Sequence, residues 1–192
     1  TTKNPMTKKV GDATKSLEFT LQTTDRRDRQ QKAQIIQAQL RAQKFGVNLQ
    51  FLYGRGLFAT CTAGGPLNCR TFDAAIYTWL SGEDPDVTGL YTCNGIPSKE
   101  NNWSGQNFPG FCDKKFDELI FKAAFDVQYA LSRDKRKPLY IEAQKIWSDA
   151  VPVIPLESNV AVFAARTGLK NFKPTPTQSP ETWNAWEWEL VK

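Results

Sequence analysis

Histidine does not occur in the 192-residue chain. Its absence excludes Ser-His-Asp and Cys-His catalysis and any metal held by imidazole. No apolar run approaches the roughly 20 residues that a membrane-spanning helix needs. No GxGxxG follows the first strand-like stretch, which argues against a dinucleotide site there. Charge of one sign is not segregated either. The net charge is +5, yet Asp25-Arg26-Arg27-Asp28-Arg29 and Arg133-Asp134-Lys135-Arg136-Lys137 mix the two signs, as solvated helix faces do. A surface that tracks phosphates needs basic groups on one face with stacking aromatics among them, so nucleic acid is not an expected partner. Carboxylates remain. Glu83, Asp84 and Asp86 cluster in one turn, but neighbours on a turn are not two acids facing each other across a substrate.

What the chain does have is core material: 40% apolar residues, with 12 Phe and 6 Trp. That is enough for one domain, or for one domain and a fragment of another. Four cysteines fall into two local pairs, Cys61 with Cys69 and Cys93 with Cys112, each closing a loop rich in Gly, Asn and Pro. Local pairing is the simplest of the three connectivities. Zinc ligation by all four is the rival, although neither pair has the two-to-four-residue spacing of structural zinc sites. Disulfides imply an oxidising compartment, and closing the longer loop stabilises a fold by about 3 kcal/mol in the chain-entropy model. The polar opening TTKNPMTKKVGDATKS carries no signal or lipid-attachment sequence. Residue 1 is therefore expected to be an internal position of a longer precursor.

Leu17, Phe19 and Leu21 alternate with polar residues, as do Val47, Leu49 and Phe51. Between them Ala33, Ile36 and Leu40 share one helical stripe, with Thr23-Thr24-Asp25 as capping oxygens and Gly46 placed for a left-handed stop. Residues 17–53 thus read as a βαβ unit with parallel strands. Further on, Asp113 is an N-cap for a helix with Phe116, Leu119, Ile120, Ala123 and Ala124 on one stripe. A second helix follows Ser132, with Pro138 either at its first position or at a kink after a short leading turn. A strand is expected over residues 159–165. Residues 173–180 read as a linker of polyproline character. The tail Trp183 to Leu190 alternates aromatic and acidic residues like a strand that needs covering.

The chain is organised around Thr71 to Asp86, TFDAAIYTWLSGEDPD, where an apolar strand breaks into a polar turn at Gly82 and Asp84-Pro85. Polar groups just past a strand's carboxyl end are where open α/β sheets receive ligands, and an ordinary surface turn is the alternative. The excursion from Tyr91 to Cys112, with Trp103 and several amides, suits recognition of polar small molecules through hydrogen bonds and a stacking face. It reads equally as a disulfide-tied loop whose tryptophan packs down.

The order of LEFTLQTTDRRDRQQKAQIIQAQLRAQKFGVNLQ, FDAAIYTWLSGEDPD, FCDKKFDELIFKAA and SRDKRKPLYIEAQKIWSDAVPVIPL resembles the C-terminal part of the family 5 extracellular solute-binding proteins. These are the peptide-, dipeptide- and nickel-type receptors of bacterial ABC importers. The resemblance covers nearly the whole chain beyond residue 16. It implies an α/β fold: one lobe of a two-lobe periplasmic-binding-protein receptor, with a mixed sheet flanked by helices. Residues 1–152 would form the C-terminal ligand-binding lobe. Residues 153–192 would form the hinge crossover and a segment packing on the other, missing N-terminal lobe.

The resemblance also implies an extracytoplasmic monomer, periplasmic or anchored to the cell surface by lipid. It would capture a peptide-like or other small polar solute for permease subunits, with no cofactor, no metal and no catalysis. In peptide-binding relatives an aspartate shortly after the tryptophan resembling Trp79 pairs with the peptide's α-ammonium. Here the turn is one residue shorter and Ser81 or Gly82 falls at that place, with Glu83 or Asp84 as substitutes. The expected ligand wall is therefore Trp79, Ser81, Glu83 and Asp84, with Tyr77 and Trp103 beside them. Two rival readings are a secreted carboxylate-dependent hydrolase domain and a structural or adhesive extracellular domain.

Overall fold

A computed structural model describes residues 5–80, 82, 84–158, 160–175 and 181–191. In chain order the elements are β1 (Thr7–Val10), β2 (Ala13–Ser16), β3 (Glu18–Thr24), α1 (Arg27–Ala42), β4 (Gly46–Leu52), α2 (Gly54–Leu57), α3 (Pro66–Cys69) and β5 (Ala74–Ile76). They continue with α4 (Thr88–Tyr91), α5 (Lys114–Phe125), α6 (Val127–Ala130), α7 (Arg133–Ala150), β6 (Leu169–Lys170) and β7 (Glu189–Leu190). The chain divides into two compact units, Thr1–Thr78 with Thr88–Glu118, and Trp79–Val87 with Leu119–Lys192.

The first unit is built on a three-stranded sheet of order β4-β3-β5, parallel throughout. Its register sets Leu21 opposite Leu49 on one side and Ala74 on the other. Because side chains alternate along a strand, each face of the sheet receives its own set. Phe19, Leu21, Val47, Leu49, Ala74 and Ile76 meet Ala33, Ile36 and Leu40 of α1. Leu52, Ala75 and Tyr77 meet the buried Leu57, Leu67 and Phe108. The expected βαβ unit is present, and the antiparallel pairs β1-β2 and β6-β7 form separate ribbons.

Local punctuation differs from the sequence reading in instructive places. Gly46 does not stop α1; Lys44 takes the left-handed turn at φ 62°, and Gly46 opens β4. Nor do Thr23, Thr24 and Asp25 cap the helix from in front. The N-cap is Arg26, without a side-chain cap bond, while Gln30 Nε2 donates back to the Asp25 carbonyl at 2.9 Å. Thr23 instead sits fully buried in β3 and donates its hydroxyl to the Ile76 carbonyl at 2.8 Å, tying β3 to β5.

In the second unit, α7 runs unbroken from Arg133 to Ala150 with Pro138 inside it, after a leading turn, so Pro138 does not start the helix. The helix follows Ser132 as expected, and the Ser132 side chain caps it, accepting from Lys135 N. Over the described residues 160–165 no strand forms. The pairing occurs later, between Leu169 and Leu190. Much of the linker expected over 173–180 lies outside the described residues. The tryptophan tail turns rather than extends, through a short 3-10 turn at Ala185–Glu187. It builds a small core of its own. Phe172 lies between Phe163 and Trp188 at ring separations of 6.4 and 5.6 Å. Buried Asn184 donates to the Asn171 carbonyl at 2.7 Å and accepts from Trp188 Nε1 at 3.0 Å.

Candidate functional site

Strand β5 delivers the stretch on which the sequence reading centres. Its start is fixed by Asp73, whose carboxylate accepts from the Thr20 amide at 2.9 Å. At its end Arg29 Nη2 donates to Thr78 Oγ1 at 3.0 Å, and Arg29 Nη1 donates to Thr24 Oγ1 at 3.2 Å. The chain therefore leaves the carboxyl end of the parallel sheet at a pinned point, the position at which α/β sheets present ligand-contacting groups.

Of the expected wall residues, Tyr77 is part of the packing. Its ring stands edge-on to Phe58 at 6.1 Å and to Phe108 at 5.9 Å, and burial, with Tyr91 adding to it, pushes its hydroxyl up to about 12. It stays neutral at physiological pH. Trp79 is 37% exposed and Leu80 63%, so the segment presents apolar surface where it begins. Ser81 and Glu83 lie outside the described residues.

Asp84 is engaged. Its two oxygens accept from Arg136 Nη1 and Nη2 at 2.8 and 2.6 Å. The Arg136 side chain is only 16% exposed, against 56% for Asp84. Arg136 Nη2 also donates to Tyr140 Oη at 2.9 Å, and its guanidinium lies 5.3 Å from the Tyr140 ring centre. The hydrogen bonds from Arg136 hold the Asp84 carboxyl below the usual carboxylate range. The sequence reading places Arg136 on a solvated charged face and misses this role. The signal lies in its spacing: Arg136 precedes Tyr140 by one helical turn and shares its stripe with Ala143 and Trp147.

Trp103 lies on the disulfide-closed loop. Cys93–Cys112 and Cys61–Cys69 are both bonded, as the local pairing predicts. Inside the longer loop, Asn107 is fully buried. Its amide donates to the Thr92 and Phe111 carbonyls at 2.9 and 2.7 Å, and its oxygen accepts from the Gly110 and Phe111 amides at 3.0 and 3.2 Å. Gly105, at φ 119°, lies so close to the Gly95 carbonyl that a Cβ would collide with it. Asn102 and Trp103 are both left-handed, at φ 54° and 59°, and Trp103 is half-buried. Asp117 anchors the loop's start, both oxygens lying 3.1 Å from the Cys93 amide. Burial pushes the Asp117 carboxyl above its ordinary value, and the Cys93 amide partly opposes that. Among the described residues no group of three or more His, Cys, Asp or Glu could hold a metal ion, and no helix is long and apolar enough to cross a membrane.

Comparison with known proteins gives these features a setting. No protein-family profile matches the chain. A di/tripeptide-binding protein 2 of Pseudomonas aeruginosa is 34% identical over 146 residues, 75% of this chain and 25% of that protein. A probable ABC transporter periplasmic-binding protein, SapA, of Escherichia coli is 29% identical over 147 residues, 75% of this chain and 24% of that protein. Among solved structures, the oligopeptide-binding protein of Thermus thermophilus, complexed with a pentapeptide, matches with a TM-score of 0.79 at 24% identity. The match covers 97% of this chain and 32% of that one. The chain spans about a quarter of the length of these curated relatives. It is a relative, in sequence and in fold, of the family 5 extracellular solute-binding proteins, of which it spans a portion.

Proposed function

We propose that this chain is the ligand-wall portion of an extracytoplasmic receptor that captures a peptide-like or other small polar solute for an ABC importer, without catalysing a reaction on it. The observation that carries the proposal is the match of nearly the whole chain to an oligopeptide-binding fold, combined with 34% identity to a di/tripeptide-binding protein. The strand that leaves the carboxyl end of the parallel sheet leads into Trp79, as a ligand wall requires. Stacking and hydrogen bonding hold the solute in this reading, with Trp79, Ser81 and Glu83 forming the wall and Trp103 contributing from its own loop. Tyr77 steadies the strand that leads to the wall through its aromatic packing. The relatives are named as binding proteins, which favours this reading over the hydrolase and adhesive alternatives.

The receptor's other parts complete the cleft. Residues 153–192 carry apolar side chains that face solvent here: Ile154 is 73% exposed, Val160 86%, Val162 89% and Trp186 77%. The remainder of the receptor is proposed to cover these side chains. Permease subunits are the further partners, the receptor acts as a monomer, and the location is periplasmic or at the cell surface. Native mass spectrometry of the intact precursor tests the proposal: a small polar solute is expected to remain bound. Titration calorimetry of the chain alone with L-alanyl-L-alanine is expected to show no micromolar binding, and micromolar binding there would overturn the reading of this chain as one wall of a shared cleft.

A further inference from the structure

The turn after Trp79 contains the acid that the sequence offers as a substitute amine anchor, and that acid is already bound. We infer that Arg136 and Asp84 form a latch whose role is to position the segment Trp79–Val87, so that Asp84 serves the ligand wall indirectly and not by contact with solute. Three observations support this. The pairing is bidentate at 2.8 and 2.6 Å, a planar fork that fixes orientation as well as distance. The guanidinium is also held by Tyr140, through a hydrogen bond at 2.9 Å and the ring at 5.3 Å, so it is set in place before it meets Asp84. Arg136 is also largely covered, 16% exposed, and its Nε is buried with no hydrogen-bond partner among the described residues. A charge covered this far depends on its counter-ion, and removing Asp84 takes away the one it has among the described residues.

The consequence concerns specificity and rests on the receptor reading above. An acid that must neutralise Arg136 cannot also neutralise an α-ammonium without giving up one of the two. The segment's recognition chemistry then falls on the tryptophan face, the backbone and Glu83. Solutes without a free amine are accommodated on this wall as well as those that have one.

The test is hydrogen–deuterium exchange, read by mass spectrometry on the peptide spanning 79–87 in the full chain. Asp84→Asn and Arg136→Gln are each expected to speed exchange there roughly fivefold, as loss of a local tie raises the open population. Amides of β3 and β4 should keep their rates and report that the fold persists. Tyr140→Phe, the mildest change, is expected to give a smaller increase. The charge-reversed pair Asp84→Arg with Arg136→Asp is expected to recover slow exchange, an outcome that simple loss of packing would not produce. Unchanged exchange in both single variants overturns the latch, as does a reversed pair that exchanges no more slowly than either of them. Failure of the receptor reading is seen separately, as absence of bound solute in native mass spectrometry while the latch behaves as described.

Discussion

Two excursions from the regular elements of this protein are held by different means. The loop from Cys93 to Cys112 is fixed by a covalent bond, by the four hydrogen bonds of buried Asn107 and by a glycine contact that admits no side chain. The segment from Trp79 to Val87 is tied by the bidentate Asp84–Arg136 pair and carries exposed Trp79 and Leu80. The first is organised like a small core in which every polar group of its central amide is satisfied. The second is tied by charge where the first is tied by a covalent bond.

That contrast can be broken most severely at Asn107. Asn107→Ala removes four hydrogen bonds: the Phe111 carbonyl and amide lose the buried side chain that pairs them, while the Thr92 carbonyl and the Gly110 amide keep their bonds to Gly95 N and the Asn107 carbonyl. It is expected to lower stability by about 3–4 kcal/mol, given roughly 1–3 kcal/mol for each such loss and incomplete additivity. Thermal unfolding would register this, and a loss below about 1 kcal/mol would mean that the loop is far less ordered than its bonds imply. Replacing Cys93 and Cys112 together by alanine is expected to cost about 3 kcal/mol from loop-closure entropy, read as a lower urea midpoint, with exchange in residues 79–87 unchanged.

On the other side of the comparison, Arg136→Gln is expected to cost about 1 kcal/mol, the upper end for a pair with one solvent-exposed partner. The cost should appear in the 79–87 segment and leave the disulfide loop alone. If both excursions loosen together, they are not independently held.

The smallest effect is in pH. The Asp84 carboxyl is held below its ordinary value of 3.8 by Arg136, so the stability it contributes is complete above 3.8 and disappears as pH falls through the lower folded value. Asp117 has the opposite sign. Burial raises it above 3.8, so the folded state takes up that proton first, and its contribution falls as pH rises from 3.8 through the folded value. Acidification below the ordinary carboxylate range is thus expected to loosen the 79–87 segment while the start of the disulfide loop holds. Amide chemical shifts of Asp84 and Cys93, followed by NMR through an acid titration, would show the two responses diverging.

The sequence makes some of this legible and hides the rest for physical reasons. The βαβ unit can be read because its strands alternate in period two and α1 carries a clear stripe, signals that arise from burial itself. The cysteine pairs are legible because local closure leaves little choice. The turn chemistry is not. Lys44 rather than Gly46 takes the left-handed position, because where the strand begins is decided by the pairing of Glu18 with Gly46, a contact between residues far apart in sequence. The same limit applies at the candidate site. Asp84 looks available because a carboxylate in a polar turn has no visible partner, and Arg136 looks solvated because its neighbours are charged. Their pairing spans 52 positions, and no local pattern records it. Val160, Val162 and Phe163 are β-formers, yet residues 160–165 form no strand, because a strand needs a neighbouring edge as well as a propensity.

The end of α7 carries one further consequence. The residue that closes the helix is Val151, at φ 46° and ψ 54°, a conformation that a β-branched side chain adopts against a steric penalty of roughly 1–2 kcal/mol. The direction in which the chain leaves the helix is thereby set by a costly choice that glycine would make for nothing. For an engineer this is the place to adjust. Val151→Gly would relieve the penalty and also release the constraint on where the following residues travel, so the gain in ease of turning would come with a loss of directional memory.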